Sequence, residues 1–457
     1  MACIVLGGCG RLYPPECPST FWIPPYPVQR LPTCPSPASI DLTQQLSVPQ
    51  LLSIALELNP HTQGTWAHAQ ASYYGQEMAL SNYYPTLSET GQLIAQNTTL
   101  HPKRDDQGNT FDNGEVGKTT TYYSNLALSY LLFDFGGREA NYRVARAQLA
   151  SANWTHNRTI QDVLISVIRQ YLDYVTNKGL AEARREDLEN AQKNLEAAQA
   201  RFEVAVGTKV DVLQAQSNQI KAQLALEQIE GNVKIALGSL AAAMGLPVTT
   251  QLQVPDLPTD LPFHQIAGDL DALVETAKNR RPDLLARQAD LIAQMEAVKL
   301  ARSAGLPTLS FQANSQRWIY NNTALSSQTQ NSIALTLEIP IFQGFFFENQ
   351  TRQAEALAQR AYADWMDAET LALVDVLTFY NDLIVAKDQV KSASEFLKYA
   401  EEAYNLAFFG YQNGVSSFLD LLNAQVNLSQ AKAAVIEARS KFLTSMANVA
   451  YAVGVME

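Results

Sequence analysis

The sequence predicts an α+β protein in which one unit of about 200 residues is used twice, each unit joining membrane-type strands to a very long helical hairpin. Three observations predict it: an internal duplication, two pairs of alternating segments, and two long proline-free tracts with heptad spacing.

The duplication comes first. Leu51 to Ser88 lies over Leu273 to Ser310 at an offset of 222 without a gap, and eleven of the 38 positions are identical, ending in Pro85-Thr86-Leu87-Ser88 over Pro307-Thr308-Leu309-Ser310. From Leu126/Leu335 to Gly245/Gly454 the offset is 209, again gapless, with Asp211/Asp420, Gln216/Gln425 and Asn218/Asn427 among the matches. The change of offset falls beside the Gly/Asn/Asp-rich stretch from Asp105 to Gly117, where a surface loop tolerates insertion. The chain therefore divides into an N-terminal segment (1–44), a first repeat (45–246), a linker (247–269) and a second repeat (270–457).

Each repeat has the same plan. A helix follows Pro60 or Pro282 and ends before Pro85 or Pro307. Two extended segments then flank a polar loop. Ile333, Leu335, Leu337, Ile339 and Ile341 alternate with Ser332, Ala334, Thr336 and Glu338, and Leu126, Leu128, Tyr130 and Leu132 alternate with Asn125, Ala127 and Ser129. That is strand periodicity. Beyond them the Ala/Leu/Gln/Glu-rich tracts carry heptads: Ala181, Leu188, Leu195, Phe202 in the first copy and Val390, Leu397, Tyr404, Tyr411 in the second. Small residues recur between them, at Ala191, Ala198 and Ala205 and at Ala393, Ala400, Ala407 and Gly414, which lets helices approach closely. A helix from Asn141 to Val206 would run ~100 Å.

Composition narrows the function. The chain has 457 residues, 47% of them hydrophobic, and a net charge of −12, the wrong sign for a phosphate-binding nucleic-acid protein. No run of ~18 apolar residues occurs, so a helical span is excluded, while a β-barrel span leaves only a weak hydropathy signal. Four strands cannot close a barrel, which needs about eight, and open edges are not tolerated in lipid. Several chains must pool their strands: two give the minimum and three give twelve.

The N-terminus reads differently. All four cysteines (Cys3, Cys9, Cys17, Cys34) lie in the first 34 residues, and nine of the twenty prolines fall within the first 37. Such a segment is extended. Leu6-Gly7-Gly8-Cys9 resembles a bacterial lipoprotein signal ending at an acylated cysteine, although only eight residues precede Cys9. An unanchored tail is the competing reading. Cys17 and Cys34 are available to pair in an oxidising compartment.

Taken together, residues ~45 to 457 resemble the TolC-type outer-membrane factors, the exit ducts of bacterial tripartite efflux pumps and type I secretion systems. The resemblance rests on the duplication, the two Pro-Thr-Leu-Ser strand starts, Leu132-Phe133-Asp134-Phe135-Gly136-Gly137 and Pro340-Ile341-Phe342-Gln343-Gly344 at the strand ends, and two helix-turn-helix tips, Arg201 to Gln216 and Tyr411 to Gln425. It implies a homotrimer with four strands per chain in a twelve-stranded outer-membrane β-barrel. A long periplasmic α-helical barrel would continue it, with a mixed equatorial domain supplied by Pro247 to Gly268 and the chain ends. The implied partners are a periplasmic adaptor protein, an inner-membrane transporter and outer-membrane lipid, with no cofactor and no metal. Family members with a lipobox cysteine are lipoproteins, which favours lipidation at Cys9. The lipid-facing wall would comprise Ile333, Leu335, Leu337, Ile339, Leu126 and Leu128.

The resemblance also implies a gate. Asp420 matches an aspartate of a cation-selecting ring at the periplasmic aperture, Tyr411 a tyrosine of the closing network, and Asp211 the aspartate of the first tip. Asn423 stands where the family pattern has a second aspartate, and Ser416 where it has the arginine of that network. Capping of the following helix explains Asp211 and Asp420 equally well. Catalysis is not expected: His61, His68, His101, His156 and His264 are scattered, and no phosphate loop or nucleophile elbow occurs. The alternative function is a periplasmic adaptor or structural coiled coil without a membrane barrel. Cargo is not written in the sequence.

Overall fold

The computed structural model describes residues 14–15, 17–22, 45–98, 107, 117–257, 261, 269–321 and 326–456. The elements in order are α1 (Val48–Leu58), α2 (Pro60–Ser81), β1 (Thr86–Thr98), β2 (Gly117–Phe133), α3 (Gly137–Glu203) and α4 (Lys209–Ala243), then α5 (Leu270–Arg280), α6 (Pro282–Ser303), β3 (Thr308–Asn321), β4 (Ser327–Glu338), α7 (Phe346–Gln412) and α8 (Phe418–Val453). Both sequence offsets return as structure. α1, α2 and β1 start 222 residues before α5, α6 and β3, and α3 and α4 start 209 before α7 and α8. At 67 residues each, α3 and α7 are ~100 Å long.

The chain forms two compact units. The first, residues 72–148 and 290–362, holds the strands. They make one antiparallel sheet in the order β1-β2-β3-β4, so the central pair joins the two repeats. Pro85 and Pro307 separate helix from strand, because the residue before a proline is pushed out of the helical region. β4 stops at Glu338, two residues before Pro340, so the alternation read through Ile339 and Ile341 outruns the strand. Both strand exits then place two successive residues at positive φ, Phe135 and Gly136 in one repeat, Gly344 and Phe345 in the other. Glycine and phenylalanine have exchanged places on the same backbone path.

The second unit, residues 1–71, 149–289 and 363–457, holds the hairpins and a mixed region. The heptad positions pack as expected at Ala191, Ala198, Val390, Ala393, Ala400, Tyr404 and Tyr411, all buried. Phe202 departs from the pattern: at the turn end of its hairpin it is 43% exposed, with the Lys209 ammonium 5.5 Å from its ring. Two short helices, α1 and α5, were not evident from periodicity. α1 is started by Ser47, whose backbone N–H and hydroxyl both donate to the Gln50 side chain at 2.8 and 2.9 Å. Its residues Leu51, Ile54 and Ala55 share a core with Leu252 and Val254 of the linker, with Val163 and Val167 of α3, and with Leu240 of α4 and Met244 at its C-cap. Gln45 bridges Gln253 beside it.

The helix bases repeat one joint twice. Gly245 and Gly454, both left-handed, sit so close to Leu58 and to Arg280–Arg281 that an added Cβ would come within 3.0 Å of backbone. Beside them Asn59 donates to the Ala243 carbonyl (2.9 Å), and Arg281, at the equivalent position, donates to the Ala452 carbonyl (3.4 Å).

Residues 14–15 and 17–22 lie against the first repeat. The Asn157 amide both accepts from the Trp22 N–H (2.5 Å) and donates to the Trp22 carbonyl (2.7 Å). The Trp22 ring meets Trp154 edge-on at 5.0 Å, and Trp66 Nε1 donates to the Pro15 carbonyl. Cys17 is disulfide-bonded, and its partner lies outside the described residues, as does Cys9.

Candidate functional site: the hairpin tips and the strand wall

Each tip is built from a left-handed residue followed by a capped helix. In the first, Ala205 (φ 61°) ends the α3 turn, and Thr208 caps α4 by accepting from the Asp211 N–H at 3.1 Å while Asp211 accepts from the Thr208 N–H at 3.3 Å. In the second, Gly414 (φ 79°) does the turning and Ser417 caps α8. The Asp420 carboxylate accepts from the Ser417 hydroxyl (2.7 Å) and N–H (3.1 Å), and these two bonds hold its pKa below the usual carboxylate value. Both aspartates therefore cap their helices, and Asp420 keeps a charged, exposed carboxylate beside its cap. Asn423, three residues on, is exposed as well, and Ser416 is half-buried in the turn.

Tyr411 faces the other way. It is 2% exposed, packs on Phe418 at 5.3 Å, and belongs to the core that closes both tips, with Ala198, Val212, Tyr404 and Leu421. Burial raises its pKa, the Asp211 carboxylate raises it further, and the Arg201 guanidinium opposes both. Arg201 on α3 completes the cluster. One guanidinium nitrogen donates to the Tyr411 carbonyl at 2.6 Å, another to the Val206 carbonyl at 3.3 Å, and the group lies 5.0 Å from the Tyr411 ring. A cation on the last-turn carbonyls of α7 sits at the favourable end of the helix dipole and ties the two hairpins of one chain together. Arg201 lies in the tip motif, but nothing along the sequence marks this role for it. Its partners are carbonyls, which no residue spacing records.

Thus Tyr411 and Arg201 meet directly, whereas Asp211 is held by Thr208 and Asp420 by Ser417, each at the start of its own helix. About two turns into α8, a buried amide cluster draws on all four helices. Gln425 Oε1 accepts from Asn194 (2.7 Å) and Asn218 (2.9 Å), and Tyr404 donates to Asn194 Oδ1 at 3.3 Å. One turn farther, Ser429 donates to Asp187 at 2.5 Å.

The sheet register sorts the strand residues by face. Leu87, Leu128, Ala313 and Ile333 form one cross-strand row, and Tyr130, Phe311 and Leu335 another, on the same face as Leu126 and Leu337. The opposite face carries Ser88, Asn314 and Ser332, then Thr90, Asn125, Gln316 and Gln330. The apolar band is interrupted by Glu89, Ser315, Asn331 and Arg317 and resumes at Leu93, Tyr122 and Ile319. Ile339 lies one residue beyond β4. Ile333, Leu335 and Leu337 are 78%, 65% and 60% exposed in the single chain, a cost in water that disappears against lipid. No helix among the described residues is long and apolar enough to cross a membrane, and no group of His, Cys, Asp and Glu there could hold a metal ion.

Comparison with known proteins agrees with this construction. The sequence profile of the family described as outer membrane efflux protein matches residues 51–246 and 273–455, one stretch per repeat. Protein CyaE of Bordetella pertussis is 28% identical over 401 residues, 87% of this chain and 81% of CyaE. The pyoverdine export outer membrane protein OpmQ of Pseudomonas aeruginosa is 23% identical across 99% of this chain and 95% of its own. Among solved structures, the outer membrane protein VceC of Vibrio cholerae superposes with a TM-score of 0.77 at 18% identity, covering 89% of this chain and 96% of VceC. These neighbours are outer-membrane channels and not adaptors, and family members are channels and not enzymes. With four strands for a shared outer-membrane barrel and two hairpins for a periplasmic helical duct, this chain belongs to the outer membrane efflux protein family.

Proposed function

We propose that the chain, as a homotrimer, is the passive exit duct of a tripartite export machine whose aperture is set by the two tips. The observation that carries this reading is the one-faced four-stranded sheet with open edges, joined through continuous helices to paired hairpins. Edge strands β1 and β4 expose unpaired backbone that lipid does not tolerate, and pairing with further copies satisfies it. The polar face would then line the bore, while Leu126, Leu128, Ile333, Leu335 and Leu337 face lipid, with Ile339 at the rim. The periplasmic adaptor and inner-membrane transporter supply selection and energy; the duct itself does no chemistry.

At the aperture, three copies of Asp420 set a ring of negative charge, supported by its exposed carboxylate and lowered pKa. Tyr411, Asp211 and Ser416 shape the tip behind it, and Asn423 lies one turn from the charge without adding to it. In planar bilayers the purified protein should form cation-preferring channels, and Asp420→Ala should cut that preference severalfold while the channel still forms. Channels with unchanged selectivity would remove Asp420 from the aperture; absence of any conductance from folded protein would remove the duct.

A further inference from the structure

The apolar face of the sheet carries a cation where its band is interrupted. Arg317 on β3 lies opposite Ser124 of β2 and Thr329 of β4, in the row that begins at Gly91 of β1. Its side chain is exposed, and among the described residues no carboxylate or carbonyl pairs with it. Glu89, on the same face, is turned to Ser124, whose hydroxyl donates to it at 3.3 Å. Gly91 leaves its end of the row bare, since an added Cβ would meet nothing within 4 Å. The result is a depression of about 370 Å³ bounded by Gly91, Leu93, Tyr122, Ser124, Arg317 and Ile319. A second depression, of about 550 Å³, lies on the same face towards the helices, where the short Ala313 side chain stands between Leu128 and Ile333. Only the row of Ser315 and Asn331, bonded to each other at 2.8 Å, separates the two.

Depth and charge together name the occupant. β3 starts at Thr308, at the helix end of the sheet. At ~3.3 Å per residue and a tilt of ~40°, Ala313 stands ~13 Å and Arg317 ~23 Å above that base. In an apolar band ~25 Å tall, the first is at mid-membrane and the second at the outer edge. A guanidinium facing lipid there is relieved by a phosphate, which it can grip with two parallel hydrogen bonds. We propose that the two depressions together hold one phosphate-bearing glycolipid of the outer leaflet. Its phosphate sits on Arg317, with the Tyr122 and Thr329 hydroxyls beside it, and an acyl chain lies over Ala313 between Leu128 and Ile333. Lys118, farther along β2 on the same face, adds positive charge on the side of the loops. Phospholipids of the inner leaflet would place their phosphates at the opposite edge, beside Phe133 and Ile339, too far from Arg317 to reach it. The inference rests on the barrel reading above and adds a lipid site to its wall.

The test is native mass spectrometry of the full-length protein in detergent, titrated with diphosphorylated lipid A, with the same lipid after phosphatase treatment, and with phosphatidylglycerol. The native protein should retain lipid A at one molecule per chain. Arg317→Gln should weaken that retention about tenfold, the loss of one charge-assisted phosphate contact, and Arg317→Lys should recover part of it. Ala313→Trp, which fills the acyl depression and leaves the cation in place, should weaken it as well. Equal retention by Arg317→Gln, or of the dephosphorylated lipid, would reduce Arg317 to a side chain that merely reaches for the interface and overturn the site. Tighter retention of phosphatidylglycerol would overturn its assignment to the outer-leaflet glycolipid, and displacement of lipid A by inorganic phosphate alone would remove the acyl half. Planar-bilayer conductance of the same samples keeps the two readings apart. Arg317→Gln should conduct as the native protein does, so lost lipid selectivity with intact conductance sinks the site alone. A folded native protein that neither conducts nor assembles sinks the barrel reading and the site with it.

Discussion

Ala205 and Gly414 hold the same left-handed backbone at the two tips, and only one of them is a glycine. A Cβ in that region is crowded against the following carbonyl, so the first tip carries strain that the second avoids. Ala205→Gly should stabilise the first tip by about 1 kcal/mol, and Gly414→Ala should destabilise the second by about as much, read from heat dissociation of the trimer. His156 is another residue whose role only its surroundings reveal. Its ring is buried, with Nε2 3.1 Å from the Thr20 carbonyl and Nδ1 3.0 Å from the Thr65 hydroxyl. Burial pushes its pKa down to about 4, against the Thr20 bond, which pushes it up. The folded value lies below the unfolded one of about 6.5, so the contribution of the neutral ring is complete above pH 6.5 and fades as pH falls towards 4. On the order of 3 kcal/mol is at stake. Tryptophan fluorescence from the docked N-terminal segment should therefore change between pH 6.5 and 4 in the native protein and stay flat over that range in His156→Asn.

The elements were largely legible, because each is written in a local period. Pro60 and Pro282 open helices, Pro85 and Pro307 close them off, and the heptads announce the long hairpins. What the period could not give is which strand lies beside which. β2 pairs with β3 from the other repeat, and that choice puts Leu128 beside Ala313 and Ile333 two strands away in the same row. The face assignment carries a sharp expectation. Ile333→Arg, on the apolar face, should cost about 2 kcal/mol or more in assembled barrel, whereas Ala334→Arg, on the polar face, should be tolerated. The yield of heat-resistant trimer measures both, and equal losses would mean that the two faces are not separated by lipid. α1 and α5 show no period because eleven residues give too few turns, and their sequence signals are the residues before their first turns, Ser47 and Asp269.

For the whole molecule, duplication explains both the economy and the asymmetry. The same joint closes both hairpin bases, with Asn59 in one and the longer Arg281 in the other, which also reaches Asp283 and Asp375. The N-terminal segment docks on Trp66, Trp154, His156 and Asn157, whose counterparts Gln288, Ala363, Trp365 and Met366 offer no such set. The two repeats are thus distinguished at the base, along the docked segment and at the tips. By itself the sequence determined the repeat, the order and kind of elements, and the need for several chains, since these follow from short-range periods, prolines and the intolerance of lipid for open strand edges. Tertiary structure alone decided the strand register, the Gln425 amide cluster and the Arg201 link. Those bring together residues about 200 positions apart, often through backbone carbonyls that every amino acid possesses, so no pattern of side chains along the chain could record them.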